Sequence, residues 1–330
     1  MRQGLPDDDT VRAALALATR APSVHNSQPW QWKVGDRTVH LYADRELRLP
    51  AIDPEGRDLL LSCGAALHHL RVGFAALGWH SRVHRMPNPA EPERLAAVEL
   101  TRHEPTFDEI SLASAIPRRR TDRRRFSSWE VPPSRIATLA EHAAAEGAVL
   151  IAVTDPVARY QLIEAIGEAA RLHDNDPAYQ VELARWTGRD EDTQGVPARS
   201  TVAPVHVPGE PDPRRFRDPR LPQPEGSFAE PDASVLLMLA TASDDAMSQF
   251  RAGEAMSEVL LAATHAGLAN CPLSEPLEIG STRDTVRSEV LGDGAYPQLI
   301  LRVGWAAVNA DPLAATPRRP LSEVVHGLAD

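Results

Sequence analysis

The sequence predicts an α+β protein built from two related halves, because one predicted helix and the strands around it occur twice. Seven positions of the first copy align at one fixed offset with seven positions of the second. The aligned residues are Gly64, Ala66, Leu67, Leu70, Phe74, Gly78 and Trp79 in one copy and Gly253, Ala255, Met256, Val259, Ala263, Gly267 and Leu268 in the other. Both copies place apolar residues three and four apart and end at a glycine suited to a left-handed cap. The alternative is chance similarity between two amphipathic helices, but the shared order of the flanking elements favours duplication.

Each copy is flanked by the same succession of elements: a helix, a strand, the repeated helix and a second strand. The predicted first helices are Asp9–Thr19 and Ser134–Glu146, the preceding strands are Thr38–Ala43 and Ser234–Thr241, and the following strands are Ala96–Leu100 and Gln298–Val303. We therefore expect a first half over residues 1–110 and a second over residues 111–330, joined within Glu104–Pro117. Two such halves would pack like the subunits of a homodimer, giving a single-chain pseudo-dimer with a cleft between them.

A long irregular stretch, Gly188–Pro231, interrupts the second half. It is dense in proline, aspartate and arginine and shows no apolar periodicity. A loop of this length inside a compact domain is usually a lid or a disordered segment. We expect a proline-rich lid at about residues 188–231.

Composition and charge limit the classes of function. The 330 residues are 42% hydrophobic and 25% charged, which is enough to bury a substantial core. No run approaches the roughly 18 to 20 apolar residues of a membrane helix, and the acidic start is unlike a signal peptide. The net charge of −11 disfavours nonspecific binding to nucleic acid or to an anionic membrane. Two cysteines, Cys63 and Cys271, cannot build a disulfide framework, so we expect a cytoplasmic protein.

Three polar motifs are candidates for a binding site. Ala21–Trp30 reads A-P-S-V-H-N-S-Q-P-W, in which two prolines fix an extended turn and the polar side chains can border a flat heteroaromatic ring. Arg118–Phe126 reads R-R-R-T-D-R-R-R-F, whose guanidinium and hydroxyl groups can bind a phosphate. Thr316–Pro320 is a short basic cluster. Lys33 is the only lysine, which excludes a Walker P-loop and leaves arginine, hydroxyl and backbone groups to hold any phosphate.

Several of these residues also have a less specific interpretation. Arginine runs are commonly solvated surface or nucleic-acid contacts, and at least one of Trp30 and Trp32 is expected in the core. His68 and His69 lack an H-E-x-x-H motif, so we expect no metal site. The two cysteines are expected to be buried packing residues. No catalytic acid or base is assigned, and three acidic residues are expected to supply charge at a helix N-terminus: Asp53, Glu55 and Asp58.

Taken together, the motifs resemble a known family. The A-P-S-x-x-N-x-Q-P-W pattern over Ala21–Trp30, the R-R-[ST]-x-R element over Arg119–Arg123 and the basic segment after the last strand are similar to the FMN-dependent nitroreductase-like superfamily. The order of the motifs is closest to its Acg-type branch of NAD(P)H nitroreductases. The resemblance implies a nitroreductase-like fold. Because each half carries only one of the first two motifs, it also implies one FMN site per chain, assembled from both halves, so a monomer is feasible and a dimer stays open.

The resemblance further implies which residues form the site and what the site does. The phosphate would be held by Arg119, Arg120, Thr121 and Arg123 with Arg318 and Arg319, the isoalloxazine by Pro22, Ser23, Asn26, Gln28, Pro29 and Trp30, and the flavin edge by Pro272, Leu273 and Ser274. The implied activity passes electrons from NAD(P)H through FMN to a nitroaromatic or quinone-type acceptor. The alternative is a catalytically silent protein that sequesters FMN beneath the lid. A nucleic-acid binder is a third reading, which the acidic net charge disfavours.

Overall fold

Two β-sheets and a central pair of helices define the architecture of the chain. The structure, a computed structural model, describes residues 6–36, 38–188, 190 and 192–328, so the parts of the predicted halves and lid at residues 1–5, 37, 189, 191, 329 and 330 lie outside the described residues. The helices of the described chain are α1 Asp8–Ala18, α2 Arg57–Ala76, α3 Phe107–Ala115, α4 Pro133–Ala145, α5 Pro156–Asp174, α6 Pro177–Arg185, α7 Ala246–His265, α8 Glu275–Glu278, α9 Gly280–Thr285 and α10 Leu321–Val324. The strands are β1 Trp30–Val34, β2 Thr38–Ala43, β3 Trp79–Arg85, β4 Arg94–Arg102, β5 Val149–Ala152, β6 Val235–Thr241, β7 Ala269–Leu273, β8 Tyr296–Gly304 and β9 Val325–Gly327.

The two sheets have matching strand orders. The first sheet runs β3-β4-β2-β1-β9 and the second runs β5-β6-β8-β7, so that β3, β4, β2 and β1 correspond in turn to β7, β8, β6 and β5. All these neighbours pair antiparallel except β9, which lies parallel to β1 with Val325 opposite Trp32. The chain therefore returns from its second half to complete the sheet of its first half. The predicted α+β class is confirmed.

Helices α2 and α7, the two copies of the repeated helix, pack closely against each other. Each contains 20 residues, and their first and last residues are related by the offset that aligns the repeat. A Cβ atom on Gly64 would lie 2.0 Å from the Phe250 carbonyl oxygen, and one on Gly253 would lie 2.1 Å from the Leu61 carbonyl oxygen. Because Leu61 and Phe250 are related by the same offset, this contact is reciprocal, as expected across a twofold axis. Both glycines are needed for the backbones to approach this closely.

We expect Gly64→Ala to destabilise the protein by at least about 2 kcal/mol, because the new methyl group would force α2 and α7 apart. Gly167→Ala in α5 is a matched control, since a Cβ there meets nothing within 4 Å. That substitution should raise stability by about 0.5 to 1 kcal/mol through helix propensity alone. Urea unfolding of both variants would measure the difference, and equal stabilities would contradict the close-packing argument.

The predicted elements agree with the structure to within a few residues, but several elements were not predicted. The observed strands are longer than the predicted ones. Strand β4 extends the predicted Ala96–Leu100 by two residues at each end, and β8 extends the predicted Gln298–Val303 by two residues at its start and one at its end. The predicted join Glu104–Pro117 contains helix α3, which begins with a capping box between Thr106 and Glu109. The other unpredicted elements are β1, β3, β5, β7, β9, α5, α6, α8, α9 and α10.

Residues 188–231, here called the insertion, contain little regular structure. The residues described there form one short 3-10 turn, Ala198–Ser200, and a single bridge links Thr187 to Val196. Within the described residues, α2 is the one helix long and apolar enough to cross a membrane by composition, and 78% of its apolar window is buried inside the protein. This burial identifies α2 as a core helix of the fold.

Candidate functional site

A large cavity lies between residues of the predicted first half and residues of the predicted second half. It contains about 1360 Å³ of empty space, a volume that includes open solvent at its mouth. The first half contributes Pro22, Ser23, His25, Asp58, Leu61 and Ser62, the second half contributes Thr121, Arg123, Met256, Cys271, Pro272, Leu273, Ser274 and Arg302, and the insertion contributes Val205, Glu210, Arg214, Phe216 and Phe228, among others. The cavity is therefore bordered by three separate parts of the chain.

The segment Ala21–Trp30 reaches the cavity through a strained backbone. His25, Asn26 and Gln28 have positive φ angles of 46°, 54° and 54°, which is costly for residues with a Cβ atom. The Ser23 hydroxyl accepts a hydrogen bond from the Gln28 backbone N–H at 3.0 Å, which stabilises the turn. In this turn conformation, Ser23 and His25 line the cavity.

The polar side chains of Asn26 and Gln28 bind other parts of the chain. Asn26 Nδ2 donates to the Gly195 carbonyl at 3.1 Å and to the Pro317 carbonyl at 3.3 Å. Gln28 Nε2 donates to the Thr193 carbonyl at 2.7 Å, and Gln28 Oε1 accepts from the backbone N–H of Arg319 at 2.8 Å. These bonds join the segment to the insertion and to the C-terminal region.

A second cavity adjoins the first, with about 720 Å³ of empty space that includes open solvent, and its lining is rich in arginines. The two cavities share Ser23, His25 and Arg123 among their lining residues. Four further arginines line the second cavity, and none of them forms an ion pair with an acidic residue in the described part of the chain: Arg20, Arg119, Arg120 and Arg318. Buried guanidinium N–H groups without hydrogen-bond partners include Nε and Nη1 of Arg119, Nε of Arg20 and Nε of Arg318. Arg120 and Arg318 donate other N–H groups to backbone carbonyls, so Arg119 has the most free donors at this cavity.

The arginines also repel one another. Burial, followed by the charges of Arg120 and Arg20, lowers the pKa of Arg119 to about 10. Burial, followed by the charges of Arg119 and the other two arginines, lowers the pKa of Arg318 to about 9. Both groups remain cationic at neutral pH, so the cavity carries several uncompensated positive charges. A phosphate dianion would supply both the acceptors and the charge that the site lacks.

Two other arginines of the R-R-R-T-D-R-R-R run bind the insertion. Arg123 Nη1 donates to the Ser200 carbonyl at 2.9 Å, and its guanidinium lies 4.9 Å from the centre of the Phe216 ring. Arg125 forms a buried ion pair with Glu210, in which its Nε lies 3.0 Å from Glu210 Oε2. The run therefore has two roles, because its first part faces the second cavity and its last part anchors the insertion.

The opposite wall of the large cavity is acidic, and Arg214 of the insertion lies against it. Arg214 forms an ion pair with Glu278 and donates to His25 Nε2 at 2.9 Å. Burial, followed by the charges of Arg214 and Arg123, keeps the pKa of His25 well below its ordinary value, so His25 accepts as a neutral imidazole. Burial, followed by the nearby carboxylates of Asp53 and Glu278, raises the pKa of Asp58 well above its ordinary value.

Most of the residues predicted for the site line one of the two cavities, and four do not. The residues brought to a cavity are Pro22, Ser23, Asn26, Arg119, Arg120, Thr121, Arg123, Pro272, Leu273, Ser274 and Arg318. Trp30 is fully buried in the hydrophobic core, and Gln28 and Pro29 are buried beneath the turn, so none of the three lines a cavity. Arg319 lies 3.6 Å from Asp44 and also pairs with Glu323. The predicted roles of Gln28, Pro29 and Trp30 beside the isoalloxazine and of Arg319 at the phosphate therefore stay predictions, without support from the cavity lining.

Sequence reasoning missed other residues of the site. Four further residues reach or support the cavities but lie outside the predicted motifs: Arg20, Asp58, Arg214 and Glu278. Arg20 directly precedes Ala21–Trp30 and could have been included on that ground. Asp53 accepts from the Leu59 backbone N–H at 2.8 Å, as a residue at a helix N-terminus does. Cys63 and Cys271 are buried, and burial raises the pKa of both thiols.

Comparison with known proteins places these observations in context. The sequence matches no protein-family profile. It is 47% identical over 327 residues to a Mycobacterium tuberculosis protein named "Putative NAD(P)H nitroreductase Rv3131", covering 99% of this chain and 94% of the relative. It is 39% identical over 324 residues to "Putative NAD(P)H nitroreductase acg" of the same species, covering 96% of each chain.

Solved structures with similar folds share little sequence with this chain. The FMN and NADPH-dependent nitroreductase NfnB of sphigopyxis sp. strain HMH has a TM-score of 0.40 at 20% identity, over 65% of this chain and 97% of its own. An iodotyrosine deiodinase bound to FMN and 3-iodo-L-tyrosine has a TM-score of 0.41 at 18% identity, over 63% of this chain and 95% of its own. Likenesses at this level carry no inference about ligands or activity.

Proposed function

Because this chain belongs to the nitroreductase-like family that contains Rv3131 and Acg, we propose that it binds one FMN in the joined cavities and acts as an NAD(P)H-dependent oxidoreductase. The observation that carries this proposal is the cluster of one buried and three half-buried arginines, without acidic partners in the described chain, directly beside the large cavity. Such a cluster fits a terminal phosphate, and the adjoining cavity would receive the rest of a flavin mononucleotide.

The protein's own groups would bind and position the cofactor. Arg119, Arg120 and Arg318, together with Arg20 and Thr121, would hold the phosphate. Ser23 and His25 on one side and Pro272, Leu273 and Ser274 on the other would border the ring system. Bound FMN supplies the redox chemistry, namely acceptance of a hydride from NAD(P)H and its transfer to a small acceptor such as a nitroaromatic or a quinone. The protein contributes placement, electrostatics and the exclusion of water.

We further propose that the fold is an internally duplicated pseudo-dimer, with halves at residues 1–110 and 111–330. The matching strand orders of the two sheets and the reciprocal contact of Gly64 and Gly253 support this reading. The arginine cluster draws Arg119 and Arg120 from the second half and Arg20 from the first. One chain would therefore build a complete site without a partner subunit.

A second candidate function is a silent FMN-binding protein in which the insertion closes the flavin site as a lid. This candidate is favoured because the insertion lines the cavity. Two ion pairs hold it there, one between Arg125 of the body and Glu210 of the insertion and one between Arg214 of the insertion and Glu278 of the body. Such a closed lid would keep NAD(P)H away from the ring. Anaerobic addition of NAD(P)H to the purified flavoprotein separates the two candidates, since loss of the visible flavin absorbance indicates an oxidoreductase.

We predict about one FMN per chain, because only one arginine cluster and one Ala21–Trp30 segment are present. Release of the flavin by heat, followed by its quantitation against protein, measures this ratio. An Arg119→Ala/Arg318→Ala double variant serves as a control with reduced occupancy. A ratio of two would contradict a single site shared by the halves.

A further inference from the structure

Arg214 is the deepest charged contact between the insertion and the body of the protein. Its side chain is 10% exposed, and the Glu278 carboxylate with which it pairs is 2% exposed. Arg214 also donates to His25 Nε2 at 2.9 Å and lies 3.4 Å from the Ser274 hydroxyl. Its Nε lies 3.9 Å from Glu275 Oε2. A single guanidinium group therefore occupies a small pocket of acceptors in the cavity wall.

The acceptors belong to the body of the protein and do not depend on the insertion for their position. Glu275 and Glu278 lie on α8, directly after Ser274, and both are buried. The Ser274 hydroxyl donates to Glu278 Oε1 at 2.7 Å, which fixes that carboxylate. His25 is held by the strained turn of Ala21–Trp30. If the insertion moves away, Glu278 loses its guanidinium partner and Glu275 a neighbouring cation, while the buried His173 imidazole stays 3.6 Å from Glu275 and 3.8 Å from Glu278. Two buried carboxylates beside a single imidazole favour the binding of another cation.

The shape of the acceptor set narrows the class of ligand. A guanidinium group is planar and directs its N–H groups to fixed positions, and here it reaches a carboxylate, an imidazole nitrogen and a hydroxyl. We propose that the large cavity contains a cation subsite formed by Glu278, Glu275, Ser274 and His25. Arg214 fills this subsite when the insertion is closed. When the insertion opens, a ligand that carries a guanidinium or amidinium group replaces Arg214. The small molecule that reacts with the flavin would therefore carry a cationic group that donates N–H hydrogen bonds. The identification of this molecule as a flavin substrate rests on the proposed function, whereas the binding of a cation to the subsite does not.

The test is chemical rescue of Arg214→Ala by N-ethylguanidinium chloride. The variant should melt several degrees below the parent protein, because the buried carboxylates of Glu275 and Glu278 lose the Arg214 guanidinium and keep only the His173 imidazole beside them. N-Ethylguanidinium should restore the melting temperature in a saturable manner with a millimolar Kd, as expected for so small a ligand. Sodium chloride at equal ionic strength tests for a general salt effect. Ethylammonium chloride tests whether a non-planar cation can replace the guanidinium group. Flavin-free protein is used, so a failure of FMN binding would not affect the outcome.

Matched variants distinguish cation binding at the subsite from a general effect of the added cations on stability. Arg215→Ala is the control, because Arg215 is the next residue in the chain, is 59% exposed and pairs only with Asp174 in the described chain. It should show no saturable response, and neither should Arg214→Ala/Glu278→Gln. Arg214→Gln replaces Arg214→Ala if the latter does not fold. Absence of a saturable response in both Arg214 variants, or an equal response in the Glu278→Gln double variant, would overturn the proposal. A stronger response to ethylammonium than to N-ethylguanidinium would overturn the assignment to planar cations.

Discussion

Replacing Arg119 and Arg318 together by alanine is expected to weaken FMN binding about 100-fold or more while leaving riboflavin binding nearly unchanged. Each guanidinium would make a charge-assisted contact with the phosphate that contributes about 1.5 to 3 kcal/mol. Every 1.4 kcal/mol corresponds to about tenfold in Kd. Riboflavin lacks the phosphate, so quenching of flavin fluorescence on titration with each compound isolates the contribution of the two arginines.

Two neighbouring arginines provide controls for this experiment. Arg118 is exposed and donates to the Ser114 carbonyl at 3.0 Å, outside both cavities. Arg319 pairs with Asp44 and Glu323, so its replacement should lower stability but leave FMN affinity nearly unchanged. An equal loss of FMN and riboflavin affinity in the double variant would show that the arginines act on the fold and not on the phosphate. A large loss of FMN affinity in Arg319→Ala would indicate that Arg319 contacts the phosphate.

The repeated helix was predictable because its signals are local. Glycine caps and apolar spacing mark α2 and α7, and the observed helices keep the same offset. The strands before and after the helices were also detectable from apolar runs. In contrast, β9 pairs with β1 across nearly the whole sequence, and three residues contain too little pattern to predict a strand. Its position depends on tertiary contacts alone.

The site was predictable at the level of motifs but not of individual side chains. Ala21–Trp30 was expected to border the ligand, yet Gln28 and Trp30 turn inward because three positive φ angles reorient the backbone there. No sequence pattern predicts that combination. The pairing of Arg214 with Glu278 joins the insertion to a short helix 64 residues away, so no local period could reveal it. Arginine clusters are visible in a sequence, whereas their lack of acidic partners is visible only in a structure.

The second large effect is expected from shortening the insertion. The Leu221 backbone N–H donates to the Thr201 carbonyl at 2.9 Å, so the two ends of the loop between them are adjacent. Residues 203–218 can therefore be replaced by a short Gly/Ser linker without separating the flanking chain. This replacement removes Glu210, Arg214 and Phe216, which line the cavity, but keeps Ser200, which accepts from Arg123. The arginine cluster at the second cavity is left intact.

Flavin reduction by NAD(P)H should then be at least about tenfold faster than in the intact protein, provided that FMN is retained. If the insertion acts as a lid in the intact chain, the donor would reach the ring only in the open state, and an open state disfavoured by a few kcal/mol is roughly 0.1 to 10% populated. Anaerobic stopped-flow absorbance measures both rates, with Arg215→Ala as a control that leaves the insertion in place. Rapid reduction of the intact protein that the replacement does not change would contradict a gating role for the insertion. A shortened protein that binds FMN but is still not reduced would contradict the oxidoreductase activity and would also rule out the insertion as the cause of a silent flavin site.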